Sequence, residues 1–478
     1  MNKIDSVVNL CARRRVIYPS SELYGSPAGF YNYGPLGAQL KRNVENSWWQ
    51  RFVRNREDVA GMDGCVLTPR KVWEASGHLA AFNDPLVECK KCKFRERADH
   101  LIKQELGAEV EGESLEALRE LVKKHSLKCP KCKGELAIGE PFNLMFKTHA
   151  GATADESSEA YLRPETAQLI FTDYKTLALA ARLQPPFGIA QLGKAFRNEI
   201  APRQFVFRCR EFTQYELEYF YNDECPFEIR DGEVLALTAE DEAAKREAKL
   251  TKISTLPASK WMQYWLGEYL DWLRGLGLRD LRVRQHVKKE LSHYSSDTWD
   301  VEFLYAEWGW KELLGIAERG TFDIDSHAKA SGKDLSLCDG LGKKFVPRVI
   351  EPSGGIDRLL FAILTQAFNE KEEKSEKKTV LSLEASIAPT LACVFPLVKK
   401  DGIAEKAREA FGLLKGLAVE YDESGSIGKR YARADEAGTP FCVTVDYQTL
   451  EDGTVTLRAR DTAKQERVKI TELREKIG

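Results

Sequence analysis

The segment 210–220 alternates between two kinds of side chain, and this pattern limits the possible fold more than any other in the chain. From position 212 the even positions read Phe, Gln, Glu, Glu, Phe, whereas the odd positions from 213 read Thr, Tyr, Leu, Tyr. Successive side chains of a strand point to opposite faces. The segment is therefore predicted to be a strand with one apolar face and one charged face.

A partner strand is predicted directly upstream, where Arg197 and Glu199 stand two residues apart and share a face. About ten residues lie between the two strands and include Arg203 and Arg208. A hairpin with one solvated face explains this pattern as simply as a binding site does, so both readings stay open at this point.

A second pattern with possible chemistry lies at 349–360, which reads VIEPSGGIDRLL. A strand there brings Glu351 and Ser353 to one face, two glycines turn the chain, and an apolar helix follows. A Gly-rich turn at a helix start favours anion binding, and Arg358 lies in the first turn of that helix. A glycine pair alone is more often structural.

The chain divides into several parts by composition, and we predict a multidomain α/β protein. Residues 1–84 hold a helix opened by Pro35, with an apolar residue at every fourth position to 52. Residues 141–368 alternate strand-like and helix-like segments, which predicts an antiparallel sheet with helices packed on it. A charged stretch at 239–252 is predicted to be a solvated helix. The charged run 369–378 opens a predicted linker, 369–386, and 387–478 is predicted to be a small α/β domain.

Residues 85–140 differ from their surroundings and are predicted to be an insertion. They are rich in Lys and Glu, and CxxC pairs bracket a helical middle. Two such pairs match the ligand set of a structural zinc ribbon, although 36 residues separate them, which is more than usual. Four free thiols are the alternative. The predicted zinc ligands are Cys89, Cys92, Cys129 and Cys132.

Composition places the chain among ordinary globular proteins, with 43% hydrophobic and 30% charged residues. No apolar run reaches the roughly 18 residues that a membrane span needs, and the N-terminus lacks the apolar core of a signal peptide. The remaining cysteines read as reduced thiols. A cytoplasmic protein without membrane contact is expected. A net charge of −2 neither indicates nor excludes nucleic-acid binding.

The hairpin at 196–220 and the turn at 349–360 together resemble motifs 2 and 3 of class II aminoacyl-tRNA synthetases. The helix and strand that end at Pro69 resemble motif 1, which builds the dimer interface in that family. The resemblance implies that Arg197 binds the ATP α-phosphate, Glu199 lies by the adenine edge, Phe212 stacks on the base and Arg358 holds the γ-phosphate. Glu312 is the expected carboxylate on the side of the Mg²⁺ ion. The residues expected at ATP are Arg197, Asn198, Glu199, Phe207, Arg208, Arg210, Phe212, Glu312, Leu313, Gly355 and Arg358.

Four further segments resemble the homodimeric glycyl-tRNA synthetase family within that class: 30–37, 310–319, 322–327 and 349–353. Segments near 425–431, 435–440 and 458–462 resemble its anticodon-binding domain. The resemblance covers nearly the whole chain and implies a class II catalytic core, a homodimer, and glycine, ATP with Mg²⁺ and tRNA(Gly) as ligands. The residues expected around glycine are Arg97, Glu165, Gln214, Glu216, Arg319, Glu351 and Ser353.

Two alternatives remain from the sequence. Another class IIa synthetase would share the ATP motifs, and a non-catalytic relative of the fold could serve as an accessory subunit. The second need not keep ATP ligands, yet Arg197, Glu199 and Arg358 are all present. The chain departs from the family pattern at Gly354, where the family usually has Phe, and the packing of that position is left open. His78, His100 and His149 are expected to be structural.

Overall fold

The computed structural model describes residues 2–108, 110, 112–222, 224–292, 294–339, 342–373 and 376–478. None of the helices in this part of the chain combines the length and the apolar composition that a membrane crossing requires.

Nine strands of the described chain form one large sheet, which we call the central sheet. Six of its neighbouring pairs are antiparallel and two are parallel. The predicted sheet, largely antiparallel and packed with helices, is confirmed. In spatial order its strands are Lys249–Lys252, Glu233–Leu237, Leu281–Gln285, Asp297–Tyr305, Gly309–Gly320, Arg348–Gly355, Glu211–Tyr221, Phe187–Phe196 and Val59–Met62.

The apolar face of the sheet packs on helices and forms the main core. Tyr215 and Tyr219 of the alternating strand are fully buried there, and the Trp48 indole donates to the Tyr269 hydroxyl at 3.2 Å. The predicted helix with an apolar residue at every fourth position is present, and one wider helical turn, Gln50–Arg54, continues it. The helices on this face are Lys3–Arg13, Pro35–Trp49, Lys260–Gly275 and Ile356–Ala367.

Helices cover only part of the opposite face. The Tyr174 ring stacks on Phe220 with ring centroids 4.7 Å apart, which fixes Ala167–Ala181 over one half of that face. Phe322–Ser331 packs beside it. The rest of this face carries the polar side chains of the alternating strand and holds the candidate site.

Two short helices and several small sheets complete this part of the chain. The helices are Arg70–Ala75 and His78–Ala81. The paired strands are Ile17–Pro19 with Tyr31–Tyr33, Asn83–Asp84 with Phe142–Asn143, Leu337–Cys338 with Lys344–Phe345, and Glu159–Leu162 between Phe146–His149 and Leu67–Pro69.

The charged stretch 239–252 differs from the predicted helix. Only Ala239–Ala243 is helical, whereas Lys249–Lys252 pairs with Glu233–Leu237 at the sheet edge. Backbone pairing with that edge strand outweighs the helical propensity of the Lys- and Glu-rich sequence.

The segment predicted as a linker begins as a hairpin of Phe368–Glu373 and Glu376–Leu381. Positions 374 and 375 of that prediction lie outside the described residues. Buried Leu381 and Leu383 join the main core, so the base of the hairpin is attached to that core.

The insertion has its own small core. Its three-stranded sheet orders Arg95–Arg97, Leu86–Cys89 and Leu136–Ile138, and Ala98–Leu106 and Leu115–Lys124 pack on it. The second helix matches the predicted helical middle.

The C-terminal part is a separate α/β unit, as predicted. Its core is formed by a five-stranded sheet and the helices packed on it. The strands, in spatial order, are Val419–Tyr421, Ala392–Pro396, Phe441–Val445, Thr454–Ala459 and Gln465–Lys469, and the helices are Ile403–Leu413, Ile427–Ala437, Tyr447–Asp452 and Leu473–Ile477.

Candidate active site

The site lies on the polar face of the central sheet, where strands Glu211–Tyr221 and Arg348–Gly355 run side by side. Glu216 pairs with Ser353 and Gln214 pairs with Gly355 across these strands. Side chains two residues apart share a face, so both strands contribute to one polar surface. We call its open part the outer cavity and its buried part the inner cluster.

The outer cavity contains most of the residues expected at ATP. Asn198, Arg210 and Leu313 lie outside the lining of this cavity, whereas eight others line it. Sequence reasoning missed Asp357, which accepts a hydrogen bond from the Thr213 backbone N–H at 2.6 Å. The lining residues are Arg197, Glu199, Val206, Phe207, Arg208, Cys209, Phe212, Gln214, Glu312, Ser353, Gly354, Gly355, Asp357 and Arg358.

Arg358 and Glu312 form an ion pair at one end of the outer cavity. Arg358 Nη1 lies 3.0 Å from Glu312 Oε2, and its guanidinium lies 4.7 Å from the centre of the Phe207 ring. Burial raises the pKa of the Glu312 carboxyl, but Arg358 outweighs burial and lowers it below its ordinary value. The carboxylate is therefore ionised at neutral pH.

A β-bulge explains how Glu312 reaches this cavity. The register shifts between Val301 and Glu302, which pair with Leu314 and Glu312, so Leu313 has no partner on that strand. In a regular strand Glu312 would share a face with fully buried Leu314. An extra residue in a strand changes the face to which the following side chains point. No feature of the sequence predicted this bulge.

Arg197 lies at the other end of the outer cavity, between two aromatic rings. Its guanidinium is 5.4 Å from the Phe82 ring centre and 5.3 Å from that of Phe212, and Nε donates to the Pro164 carbonyl at 3.1 Å. Cation–π contacts and one backbone acceptor hold the group without neutralising its charge. The guanidinium is thus fixed in place with most of its donors available.

The loop arginines of the hairpin differ in their contacts. Arg208 Nε lies 3.9 Å from Glu199 Oε2, which is a weak pairing. Arg210 instead donates to the Glu199 carbonyl from Nε at 3.0 Å and to the Ala28 carbonyl at 2.9 Å. Arg203 forms an ion pair with Glu96 and so connects the loop to the insertion. Arg208 is therefore free to reorient, whereas Arg210 holds the loop.

The inner cluster begins at Glu165, which receives two side-chain contacts. His78 Nε2 lies 3.3 Å from Glu165 Oε2, and Gln168 Nε2 donates to Oε1 at 3.0 Å. Burial raises the pKa of Glu165, but His78, Arg319 and Gln168 outweigh burial and lower it. His78 was predicted to be structural without chemistry, and its contact with a site carboxylate was missed because it joins distant parts of the sequence.

Glu216 is held by three donors of neighbouring residues. The Thr166 backbone N–H donates to Oε2 at 2.9 Å, its hydroxyl donates to the same oxygen, and Gln214 donates to Oε1 at 3.1 Å. Burial, together with the charges of Glu351 and Glu165, raises the pKa of Glu216 well above its ordinary value, although the Thr166 hydroxyl and Arg319 oppose the shift. Glu216 is 1% exposed, so its orientation is fixed before any ligand binds.

Arg319 is a buried cation of the inner cluster, and it bonds to two carboxylates. It reaches both oxygens of Asp323 at 2.7 Å and also donates to Glu351, whose Oε1 accepts from Ser353 at 3.1 Å. Burial lowers the pKa of Arg319, but Glu351 and Asp323 outweigh burial and raise it well above its ordinary value. Arg319 therefore orients Glu351.

The backbone of Gly354 lines the outer cavity, but a side chain at this position would point towards the main core. It pairs with Tyr215 on one neighbouring strand and with Leu314 on the other. A Cβ atom at this position would lie 2.5 Å from Tyr215 Cζ. The Tyr215 ring thus occupies the space in which a larger residue at 354 would lie, which accounts for the departure from the family pattern.

Arg97 lies outside the lining of the outer cavity. Its guanidinium contacts Asp99 Oδ1 at 3.1 Å and Asp84 Oδ1 at 3.3 Å. Burial raises the pKa of Asp84 to about 6, with Arg97 opposing and Glu199 adding to the effect. Arg97 is thus paired with two carboxylates.

The four cysteines of the insertion come together. Cys89 Sγ lies 3.5 Å from Cys132 Sγ, and Cys92 Sγ lies 3.6 Å from Cys129 Sγ. Four thiolates at about 2.3 Å from a tetrahedral zinc ion lie about 3.8 Å from one another. Hydrogen bonding from the Cys92 backbone N–H lowers the pKa of Cys89 to about 6. The arrangement fits a closed zinc site.

The arrangement is suited to a ligand with opposite charges at its two ends. Cationic side chains of the outer cavity, Arg197, Arg208 and Arg358, face a position for a polyanion. The inner cluster presents carboxylates for a small cation. The outer cavity and the inner cluster lie along the same two neighbouring strands. A polyphosphate in the outer cavity and a small ammonium compound in the inner cluster would therefore meet at Gln214 and Ser353.

Comparisons with known proteins agree with this geometry. A family model described as an anticodon binding domain matches residues 392–478. The chain is 44% identical to a glycine–tRNA ligase of Clostridium perfringens, over 98% of this chain and 97% of the relative. It is 43% identical to the glycine–tRNA ligase of Thermobifida fusca, over 99% and 97%, and 42% identical to that of Bacillus thuringiensis, over 99% and 98%. At this identity over nearly the whole length of both chains, the chain belongs to the glycine–tRNA ligase family.

Proposed function

We propose that this protein joins glycine to tRNA(Gly) in two steps at the site described above. The observation that carries the proposal is the continuity of a cationic outer cavity with an anionic inner cluster along two neighbouring strands. In this proposal residues 1–84 and 141–368 form the catalytic domain, 85–140 the insertion, 369–386 the linker and 387–478 the anticodon-binding domain.

In the first step the glycine carboxylate attacks the α-phosphorus of ATP and pyrophosphate leaves. A carboxylate is already a nucleophile, so the step needs no protein base, and catalysis rests on positioning and on charge stabilisation at phosphorus. Arg197 stabilises the α-phosphate and Arg358 the γ-phosphate. Phe212 stacks on adenine, and Glu312 lies on the side of the Mg²⁺ ion that enters with ATP.

Recognition of glycine depends on the inner cluster. Glu165 and Glu216 attract the ammonium group, while Glu351 and Ser353 lie against the α-carbon. Arg319 was expected to bind the glycine carboxylate. Its contacts with Asp323 and Glu351 support instead a role in holding Glu351. A packed wall at the α-carbon opposes a larger amino acid, because inserting a methyl group into a packed site costs roughly 1–3 kcal/mol.

In the second step a hydroxyl of the terminal ribose of tRNA attacks the glycyl carbonyl carbon, and AMP leaves. The C-terminal domain supports tRNA as the partner, because the family model for anticodon binding matches it. The homodimer and the cytoplasmic location also belong to this proposal and rest on the family resemblance and on composition. Light scattering of the purified protein at several concentrations tests the dimer.

A structural zinc ion in the insertion completes the proposal. Cys89, Cys92, Cys129 and Cys132 would hold it and close its coordination, so it supplies stability and takes no part in the reaction. Elemental analysis of protein purified without added metal should find one zinc per chain. The variant Cys89→Ser with Cys132→Ser should lose it, and Cys338→Ser, an exposed cysteine elsewhere, is the matched control. Zinc-free wild-type protein contradicts this part.

The decisive experiment is amino-acid-dependent exchange of pyrophosphate into ATP by the purified protein. Glycine should support exchange, and alanine and serine should support little. Glu165→Ala should raise the KM for glycine far more than the KM for ATP, and Ser353→Gly should weaken discrimination against alanine. Exchange with another amino acid in place of glycine favours a different class IIa synthetase. No exchange with any amino acid favours the accessory-subunit alternative.

A further inference from the structure

One carboxylate of the inner cluster has no role in the site as described so far. Glu218 lies one position deeper than Glu216 on the same face of strand Glu211–Tyr221 and is fully buried. Neither of its carboxyl oxygens has a hydrogen-bond partner within the described residues. Its cross-strand neighbour is Ile189, and Phe220 follows it on the same face. Glu218 therefore lies where the polar cluster meets an apolar core.

Glu218 has like-charged neighbours at close range. Carboxyl oxygens of Glu216, Glu218 and Glu351 all lie within 4.8 Å of one another. At that separation in a protein interior the repulsion between ionised carboxylates is several times the thermal energy. Arg319 offsets part of this repulsion, but Asp323 and Glu351 already bind its donors. At least one carboxyl of the cluster is therefore protonated.

Burial raises the pKa of all three carboxyls, but their hydrogen bonds differ. Glu216 accepts from Thr166 and Gln214, and Glu351 accepts from Arg319 and Ser353. Such donors stabilise the ionised form of a carboxyl group. Glu218 has none, so its ionised form is the costliest to bury.

We propose that Glu218 is a neutral carboxylic acid in the folded protein and that its hydroxyl donates to Glu351, holding that carboxylate at the ligand. Burial, together with the charges of Glu351 and Glu216, raises the pKa of Glu218 well above its ordinary value, with Arg319 opposing. A protonated acid gains the donor that the carboxylate lacks. Glu351 is then held from two sides, by Arg319 and by Glu218.

Glu218 acts as a positioning residue for the proposed function, because it reaches the ligand only through Glu351. With Glu218 protonated, the inner cluster carries one negative charge fewer than it has carboxyl groups. That reduction lowers the repulsion among the carboxyl side chains that lie around Arg319.

Infrared spectroscopy tests the protonation state without reference to activity. Difference spectra of wild type against Glu218→Gln should show loss of a carboxylic-acid carbonyl band at neutral pH, and this band should shift in D₂O. Glu268→Gln is the matched control, because Glu268 is also buried but pairs with Arg51 and Arg230. Its spectrum should lose carboxylate bands only. Loss of carboxylate bands alone in Glu218→Gln overturns the proposal, whatever reaction the protein catalyses.

Kinetics test the positioning role, and this arm rests on the proposed function. Glu218→Gln keeps a neutral donor of the same shape, so the KM for glycine in exchange should stay within about threefold of wild type. Glu218→Leu removes the donor and should raise the KM for glycine by about tenfold or more, with the KM for ATP unchanged, since the lost bond goes to a charged group. A tenfold rise in Glu218→Gln would instead show that Glu218 is ionised and binds the ammonium directly.

The two arms fail in distinguishable ways. If the carboxylic-acid band is present and glycine supports no exchange, the proposed function fails and the protonation state stands. If Glu218→Leu does not fold, the infrared spectra and the kinetics of Glu218→Gln still decide the proposal.

Discussion

The outer cavity and the inner cluster use the same residue types in opposite ways. Arg358 and Glu312 in the outer cavity have side chains that are 28% and 46% exposed, whereas Arg319 and Glu351 in the inner cluster are 1% and 8% exposed. The outer charges keep donors available for the polyphosphate that we propose there. The inner charges are already bonded to one another, so they give a rigid boundary to the site that we propose for glycine. In this proposal the large ligand is held by charge and the small one by a preformed boundary.

The largest expected effect separates the two regions by stability. Arg319→Met leaves Asp323 and Glu351 as buried charges without a cation, and breaking a buried pair in this way costs about 3–5 kcal/mol. Arg358→Met breaks a partly exposed pair and should cost at most about 1 kcal/mol. Urea unfolding monitored by tryptophan fluorescence measures both. Equal losses in the two variants would show that the inner cluster is not more tightly bonded than the outer cavity.

The second effect separates the regions by rate. Arg358→Ala and Arg197→Ala should each slow glycine-dependent exchange by about 10–150-fold, because a hydrogen bond to a charged group is worth roughly 1.5–3 kcal/mol. The urea midpoint should stay close to that of wild type. Arg210→Ala is the informative comparison, since Arg210 holds the loop through backbone carbonyls. Exchange rates like those of wild type in Arg358→Ala and Arg197→Ala would show that ATP does not bind in the outer cavity.

A third and smaller effect on stability is expected at Gly354, on the side of the sheet that packs against the main core. Gly354→Ala inserts a methyl group against Tyr215 and should cost roughly 1–3 kcal/mol of stability. Tyr215→Leu should recover part of that loss in the double variant, which a double-mutant cycle measures. Additive losses would show that the two residues do not share the space.

The last expected effect is a pH dependence of stability at Asp84. The pKa of Asp84 is raised to about 6 by burial, so the folded state binds a proton more tightly than the unfolded state does. Stability from this group is therefore greatest below about pH 4 and is lost as the pH rises through about 6, by about 2–3 kcal/mol in total. Asp84→Asn should lose this slope in urea midpoints measured across pH 4–7. An unchanged slope would assign the dependence to another group.

The elements that the sequence predicted well are those whose pattern is local. The alternating strand at 211–221 and the helix Pro35–Trp49 each carry their own periodicity, and both are present. The local pattern and the final structure agree there because the residues of each element themselves determine which of its faces is buried.

The features that the sequence did not predict depend on distant contacts. His78 meets Glu165 across 87 positions, the bulge at Leu313 depends on a neighbouring strand, and Lys249–Lys252 is a strand because a sheet edge is available. The proposed protonation of Glu218 is of the same kind. The alternation of its strand shows on which face of the sheet Glu218 lies, but it does not show whether hydrogen-bond donors lie near its carboxyl group. Local periodicity carries no information on such partners.

The shared bonds of Arg319 have a consequence for protein engineering. Arg319 connects Glu351, which would contact the ligand, to Asp323. Glu351 lies on a central strand and Asp323 opens the helix Phe322–Ser331, so the bonds that orient Glu351 also anchor the fold. A substitution meant to admit a larger amino acid would therefore also loosen the scaffold. Variants with altered substrate choice should arise only after compensating stabilisation elsewhere, or through several simultaneous changes. Selection for a new substrate would be slow in this family for a structural reason, because recognition and folding depend on the same few bonds.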